Sequence, residues 1–303
     1  MQKSSNLQKL TPEYLSKYTY WDKEKAWFNN LAENLGAIRS GHDVMELKGT
    51  CGGPVIIVGA GPSVEKFNHL DMLKDVKCHV IATDRQLIPL LERNVIPEYV
   101  ISVDADPVVA KFYDSALVRE HADKIKAIFA TQIHNSVVKM CPFERYWFVT
   151  LIDDPFKTEK SISRAIHWMT DGKSMSEAFG NAGAFGWAFA DAVGHKMIIL
   201  VGIDFSYGPD IQPMQTMFWN GFMKKRDGDT KEVLKLDYRW DLNPYGHKVL
   251  TDAIFDSYRQ VMHKGIMSTD SKTVNCSPYT VLHGPKIQTL PLGEALKKFT
   301  LQI

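Results

Sequence analysis

Short apolar runs alternate along the chain with longer segments in which apolar residues recur at helical intervals. Runs that are apolar on both faces are typical of parallel strands covered by helices, and alternating strands and helices are typical of a doubly wound sheet. The pattern therefore predicts an α/β fold with a doubly wound, mostly parallel sheet. The predicted strands lie at 54–58, 79–82, 99–103, 127–130, 147–150 and 197–201, and the predicted helices at 12–40, 85–93, 109–124, 175–193 and 252–263.

The same pattern divides the chain into two parts. Residues 1–50 are expected to form an N-terminal helical extension, and residues 51–303 a Rossmann-like nucleotide-binding domain. Near the C-terminal side, residues 208–247 are aromatic, polar and irregular, and loops of this length inside a compact domain are often functional. This long insertion is predicted to be a lid over a substrate. An ordered peripheral excursion and a surface for another subunit are the alternatives.

The composition excludes some classes of binding partner. The chain has 303 residues, of which 45% are hydrophobic and 23% charged, and its formal net charge is +1. A nucleic-acid-binding domain is normally clearly basic, so no nucleic-acid partner is expected. No apolar run approaches the ~18 residues that span a bilayer, the first 12 residues lack an apolar signal segment, and the four cysteines form no C-x-x-C pair. These absences predict a cytoplasmic protein without a membrane span, and they leave a homo-oligomer open.

Ligands of doubly wound sheets bind at the carboxyl ends of the strands, near the point where the strand order reverses. The first predicted strand ends in a turn that contains Gly59, Gly61 and Ser63. Glycine lets backbone N–H groups approach a phosphate closely, and the serine adds a hydroxyl donor. The turn is therefore predicted to hold the phosphate of a nucleotide. The alternative is a tight strand-to-helix turn without a ligand. A Walker loop is excluded because no Gly-Lys-Ser/Thr follows.

Carboxylates follow the next two predicted strands. Asp84 lies where an acidic residue meets a ribose hydroxyl in dinucleotide-binding folds, or where it caps the next helix. Asp104 and Asp106 are spaced i, i+2, so both can ligate Mg²⁺ or a similar divalent cation that holds a diphosphate. In the alternative, Asp106 or Pro107 starts the next helix.

Four further polar residues are candidates. Asn181 lies among small residues and is predicted to contact a base or sugar, although close packing of a helix on the sheet explains that composition equally well. Asp204 follows the sixth strand, where a catalytic carboxylate is expected, and a turn or capping role is the alternative. His134 and His247 are candidate acid–base or phosphate-binding groups, although a lone histidine is more often structural.

In order and combination, several segments resemble one protein family. It contains the bacterial motility accessory factors (Maf proteins) and the archaeal MptE-type 6-hydroxymethylpterin diphosphokinases. The resemblance covers roughly residues 25–297. It rests on VIIVGAGPS at 55–63, NVIPEYVISVD at 94–104, GNAGAFGWAFADAVGHKMIILVGIDFSY at 180–207, VNCSPYTVLHGPKI at 274–287 and PLGEAL at 291–296.

The resemblance implies a nucleotide-dependent transferase. Maf-like chemistry would transfer a nonulosonic, sialic-acid-like sugar from its CMP-activated form. The diphosphokinase branch would transfer diphosphate from ATP to a pterin alcohol with Mg²⁺, and a non-catalytic nucleotide-binding scaffold is a second alternative. In the sugar-transfer interpretation Asp204, His134 and His247 are the catalytic candidates, and Asp104 with Asp106 would bind a metal ion or the donor ribose. The acceptor is not identified by the sequence.

Overall fold

The computed structural model of the chain describes residues 10–50, 52–221, 234 and 237–300. The described strands are β1 (His42–Asp43), β2 (Pro54–Val58), β3 (His79–Thr83), β4 (Tyr99–Ser102), β5 (Lys126–Ala130), β6 (Glu144–Thr150), β7 (Met175–Ser176), β8 (Met197–Val201), β9 (Tyr238–Leu242), β10 (Lys248–Asp252), β11 (Lys272–Asn275) and β12 (Ile287–Thr289). The described α-helices are α1 (Pro12–Ser40), α2 (Ser63–Lys66), α3 (Asp84–Leu91), α4 (Ala116–Glu120), α5 (Asn135–Met140), α6 (Ile162–Met169), α7 (Ala182–Val193), α8 (Met217–Gly221), α9 (Ala253–Met267) and α10 (Leu292–Phe299). Short 3₁₀ helices lie at Val44–Leu47, His69–Leu73, Pro107–Phe112 and Pro213–Gln215.

A parallel sheet forms the centre of the fold. Its strand order is β1-β6-β5-β4-β3-β2-β8-β11-β12, and β7 pairs with β6 off this path. After β2 the chain adds β3 to β6 on one side and later places β8 and β11 on the other, so the strand order reverses between β2 and β8. Val55 of β2 pairs in register with His79 of β3 and with Ile198 of β8. The predicted α/β fold with a doubly wound, mostly parallel sheet is confirmed.

Apolar layers cover both faces of the sheet, because successive strand residues point to opposite sides. On β2, Val55 and Ile57 belong to the apolar cluster that contains α7, whereas Ile56 and Val58 belong to the cluster that contains α10. All four side chains have no exposed surface. This burial on both faces explains why the central strands are continuous apolar runs in the sequence.

Two of the predicted helices differ from the structure. The helix predicted at 109–124 is wrong as a single element, since a 3₁₀ helix covers Pro107–Phe112 and α4 begins only after Ser115, which caps α4 by accepting a hydrogen bond from the Leu117 N–H (3.2 Å). The helix predicted at 175–193 begins at Ala182. Phe179 and Gly180 have φ of 51° and 86°, and two residues in this left-handed region interrupt a right-handed helix. The six predicted strands and the long helix at 12–40 are confirmed.

The N-terminal segment contacts the central sheet, and the described part of the insertion contacts the N-terminal helix. β1 pairs with β6, and α1 buries Leu31 and Ile38. The described part of the insertion includes α8, whose Phe218 packs against Leu15 of α1. Residues 222–233 and 235–236 of the insertion lie outside the described residues, so the lid function predicted for 208–247 stays a prediction. Within the described residues, no helix is both long and apolar enough to span a bilayer.

Candidate functional site

The turns after β2 and β8 meet where the strand order reverses. The Gly59 N–H donates to the Val201 carbonyl (2.8 Å), and the Gly61 N–H donates to the Gly202 carbonyl (2.9 Å). A Cβ added to either Gly59 or Gly61 would lie 2.7 Å from the Gly202 oxygen. Glycine is required at both positions because another turn lies against them. This contact agrees with the alternative interpretation, a tight strand-to-helix turn. The Gly59 and Gly61 N–H groups already bond within the chain. The binding of a nucleotide phosphate by this turn stays a prediction.

Ser63 and Asp204 take part in the same contact. Ser63 is 0% and Asp204 1% exposed, and the Ser63 N–H donates to Asp204 Oδ2 (2.9 Å). Burial raises the pKa of Asp204 to about 6, while hydrogen bonds from the Ser63 and Tyr279 N–H groups oppose the rise. The Ser63 hydroxyl is not exposed to a ligand, and the Asp204 carboxylate joins two turns. This geometry fits the turn role of Asp204, and its catalytic role stays a prediction.

A second group of polar residues is more accessible, at the ends of β3 and β4. Asp84 is half-buried; its Oδ2 accepts a hydrogen bond from the Ser102 hydroxyl (2.8 Å), and its Oδ1 accepts one from the Arg85 N–H (2.7 Å). Burial raises the pKa of Asp84 to about 6, and the charge of Asp104 adds to the rise. Since Thr83 of β3 pairs with Ile101 of β4 and Asp84 bonds to Ser102, Asp84 and Asp104 lie on one rim at the ends of these strands. The capping alternative for Asp84 is wrong, because Thr83 occupies the N-cap position of α3.

Arg85 contributes a positive charge to this rim. Its side chain is exposed beside Asp84, and it makes no hydrogen bond or ion pair with any residue that the structure describes. An arginine guanidinium presents several N–H donors that match phosphate oxygens. The sequence prediction missed Arg85, although its place directly after a strand-end carboxylate was a usable signal.

Asp104 and Asp106 are both exposed in the loop after β4. Asp104 Oδ1 accepts a hydrogen bond from the Asp106 N–H (3.1 Å), and Asp106 Oδ1 accepts one from the Val108 N–H (2.8 Å), which caps the following 3₁₀ helix. These bonds use one oxygen of each carboxylate. Mg²⁺ commonly takes one or two protein carboxylates and completes its shell with water and phosphate, so the pair fits a cation that arrives with a nucleotide. The described residues contain no cluster of three or more metal-ligating side chains.

Helix α7 begins close to the same rim. Asn181 caps it, since its Oδ1 accepts a hydrogen bond from the Ala184 N–H (3.0 Å). A Cβ on Gly183 would lie 2.5 Å from Ile203 Cδ1, and one on Gly186 would lie 3.0 Å from a methyl carbon of β2. The small residues therefore let α7 pack closely on the sheet, as the alternative interpretation stated. The predicted contact of Asn181 with a base or sugar stays a prediction.

The two predicted histidines lie in different surroundings. His134 caps α5, and its Nδ1 accepts a hydrogen bond from the Ser136 N–H (3.2 Å). Nδ1 also lies 2.7 Å from the Ser136 hydroxyl oxygen. When Nδ1 accepts both bonds, the neutral ring carries its proton on Nε2, which can then donate to a ligand. The catalytic role predicted for His134 stays a prediction. The His247 ring packs against Tyr279 and Phe67, with centroid distances of 5.2 and 6.1 Å. The catalytic role predicted for His247 stays a prediction.

Two helical residues also face this region, and no sequence pattern indicated either of them. Tyr258 of α9 lies against Gly180, and burial raises the pKa of Tyr258 to about 12, with the charges of Asp252 and Asp104 adding to the rise. Its hydroxyl therefore keeps its proton at neutral pH. Asn30 of α1 donates hydrogen bonds to two loops of the rim. Both residues come from helices rather than from the strand ends at which ligands of such sheets bind.

Because His69 is buried next to α2, we expect the folded chain to lose stability in acid. His69 is 4% exposed, its ring stacks on Phe67, and its Nδ1 has no hydrogen-bond partner among the described residues. Burial lowers the pKa of His69 from 6.5 to about 4. Between these values the unfolded chain binds a proton that the folded chain does not, so the free energy of unfolding falls as the pH falls, and the loss is complete below the folded pKa.

We expect this loss to be about 2 kcal/mol, after allowance for solvent screening. In the variant His69→Leu, the free energy of unfolding should not show this fall with pH. Above the unfolded pKa, the free energies of unfolding of the two proteins should depend on pH in the same way. Urea unfolding of both proteins across pH 6.5 to 4 measures the difference. Parallel pH profiles for the two proteins would show that His69 does not cause the acid dependence.

Comparisons with known proteins agree with the resemblance found in the sequence. Residues 29–210 match the family described as "6-hydroxymethylpterin diphosphokinase MptE-like". The fold is similar to the structure of a Maf glycosyltransferase from Magnetospirillum magneticum AMB-1, with a TM-score of 0.62 and 14% sequence identity over 91% of this chain and 39% of that chain. At this identity the similarity establishes the fold alone, and this chain spans about two fifths of that protein's length. No curated protein matches the chain.

Proposed function

Since the chain belongs to the MptE-like family, we propose that it is a nucleotide-dependent transferase whose donor binds at the rim after β3 and β4. The observation that carries the proposal is the grouping of Asp84, Arg85 and Asp104 at the carboxyl ends of the neighbouring strands β3 and β4, next to β2, where the strand order reverses. Ligands of doubly wound sheets bind at this edge. The preferred reaction transfers a nonulosonic, sialic-acid-like sugar from its CMP-activated form, and the similarity in fold to a protein named as a Maf glycosyltransferase supports this choice.

Transfer of a sugar from a CMP donor leaves negative charge on the phosphate that departs. A cation and preorganised hydrogen-bond donors near that phosphate stabilise the transition state. In the proposed site, Arg85 supplies the cation and the Nε2–H of His134 supplies a further donor. The half-buried carboxylate of Asp84 lies where it would accept hydrogen bonds from the ribose hydroxyls.

Mg²⁺ would bind to Asp104 and Asp106 and neutralise charge on the donor phosphate. The protein's own contribution is to hold the two carboxylates at the end of β4. The hydrogen bond from the Asp106 N–H to Asp104 fixes the turn between them, and the bond from the Val108 N–H fixes Asp106. This turn keeps both side chains exposed on the same loop.

The second candidate function is diphosphate transfer from ATP to a pterin alcohol. The description of the matching family favours it, and so does the exposed pair of aspartates, because diphosphoryl transfer depends on Mg²⁺ bound to the phosphates. In that reaction Asp84, Asp104 and Asp106 carry the chemistry, and the CMP moiety has no role. The two reactions therefore differ in the nucleotide that the rim binds.

A panel of nucleotides tests the proposal. Thermal shift and calorimetry would be measured with CTP, CMP, CMP-sialic acid, ATP and GDP, each with and without Mg²⁺. We expect CMP and CMP-sialic acid to bind and to raise the melting temperature, because a ligand that binds only the folded state stabilises it. Cytidine, which lacks the phosphate, is the matched control and should bind more weakly than CMP.

Each other outcome of the panel points to a different function. Binding of ATP that depends on Mg²⁺, followed by transfer to a pterin alcohol, would replace sugar transfer by the diphosphokinase reaction. If none of the five nucleotides changes the melting temperature or gives heat of binding, the transferase proposal fails and the non-catalytic scaffold is favoured.

A further inference from the structure

Asn30 and Asn34 are buried polar residues on the inner side of α1. They are 5% and 1% exposed, and their spacing of i, i+4 places them on one face of the helix. A buried amide costs free energy unless it is hydrogen-bonded. Packing alone is served by apolar residues, as at Leu31 and Ile38 on the same helix. The hydrogen-bond partners of the two asparagine side chains therefore indicate the role of these side chains.

Both amides bond to carbonyl groups of loops on the candidate rim. Asn30 Nδ2 donates to the carbonyl oxygens of Ala105 (3.1 Å) and Gln132 (2.9 Å). Asn34 Nδ2 donates to the carbonyl oxygen of Ile133 (2.7 Å). One helix face is thus bonded to the loop after β4 and to the loop after β5.

The bonded positions lie next to candidate site residues. Ala105 stands between Asp104 and Asp106, and Gln132 comes two residues before His134. The backbone pairing of β4 with β5 runs from 99 to 102 on β4, so it ends before these loops begin. Beyond that point, the Asn30 side chain links the two loops through its two hydrogen bonds.

We propose that Asn30 is a positioning residue, which fixes the Asp104–Asp106 carboxylates relative to His134, so that α1 is part of the transferase site. This inference rests on the proposed function, because it assumes that the donor binds at the rim after β3 and β4. Loss of the Asn30 amide frees both loop carbonyls, and the carboxylate loop then moves relative to the loop that carries His134. Displacements of about 1 Å can cost about 100-fold in rate when groups must be aligned for reaction.

The variant Asn30→Ala, with Ile38→Ala as its matched control, tests the inference. Ile38 has no exposed surface, lies on the same helix, and belongs to the apolar core. Both substitutions should lower the melting temperature. Asn30→Ala alone should speed amide hydrogen exchange in peptides that cover 103–108, and it should lower kcat/KM with CMP-sialic acid about tenfold or more.

The results separate this inference from the function on which it rests. If both variants change loop exchange equally, or if Asn30→Ala leaves kcat/KM at the level of Ile38→Ala in an active enzyme, Asn30 is structural and the inference is overturned. If the unaltered chain neither binds nor turns over CMP-sialic acid, the proposed function fails. Faster loop exchange in Asn30→Ala alone would still support the positioning of the carboxylate loop by α1.

Discussion

Replacement of Asp104 by asparagine should lower kcat/KM for metal-dependent transfer by about 100-fold or more, while the fold is kept. Asp104 is exposed, and its described hydrogen bond is the one that it accepts from the Asp106 N–H (3.1 Å). An asparagine Oδ1 accepts the same bond, so the loop keeps its shape and only the negative charge is lost. Initial rates at a series of Mg²⁺ concentrations, together with the melting temperature, measure the two effects separately.

The matched control for this variant is Asp114→Asn. Asp114 is also exposed, lies beyond the 3₁₀ helix that follows the Asp104 loop, and forms an ion pair with Arg119 (3.6 Å). An exposed pair of this kind contributes little to stability, so both the melting temperature and kcat/KM should stay close to those of the unaltered chain. Unchanged turnover in Asp104→Asn, at any Mg²⁺ concentration, would remove Asp104 from the donor site.

The central sheet was predictable because its strands bury both faces. The residues of β2 from Val55 to Val58 have no exposed surface, and their sequence is a continuous apolar run. Two of the strands that the prediction missed lack this property. β12 is three residues long with the exposed Gln288 at its centre, and in β9 the residues Arg239 and Trp240 are exposed. Such strands carry no apolar run from which a pattern can be recognised.

The candidate site was predictable only in part. The sequence indicated Asp84 and Asp104 because each follows a predicted strand, and the carboxyl ends of parallel strands share one edge. It did not show which side chains remain accessible. Ser63 and Asp204 are 141 positions apart in the sequence, yet they bond to each other and bury both side chains. A contact of this kind between two distant turns leaves no trace in the local pattern.

The glycines after β2 illustrate the same limit. A turn that approaches a phosphate and a turn that approaches another turn both require the absence of a Cβ. The motif with Gly59 and Gly61 is therefore compatible with either structure, and only the position of the chain after β8 distinguishes them. In this fold Gly202 lies against the turn, and its carbonyl accepts the Gly61 N–H (2.9 Å).

The variant Gly202→Ala should lose about 3 kcal/mol or more of the free energy of unfolding. Gly202 has φ of +68°, a conformation that an alanine adopts at a cost of about 1 kcal/mol. Its added Cβ would also lie 2.5 Å from the Gly59 carbonyl oxygen and would collide with Val64. Because the oxygen belongs to the backbone of a buried turn, it cannot swing aside as the end of a flexible side chain would.

The variant Gly246→Ala separates the two costs of this substitution. Gly246 has φ of +80°, and an added Cβ there would meet no atom within 4 Å. The free energy of unfolding that Gly246→Ala loses should therefore be the conformational cost alone, about 1 kcal/mol, as measured by urea unfolding. The excess loss in Gly202→Ala then reports the contact between the turns after β2 and β8. If the two variants lose the same stability, the contact between the two turns does not require glycine at position 202.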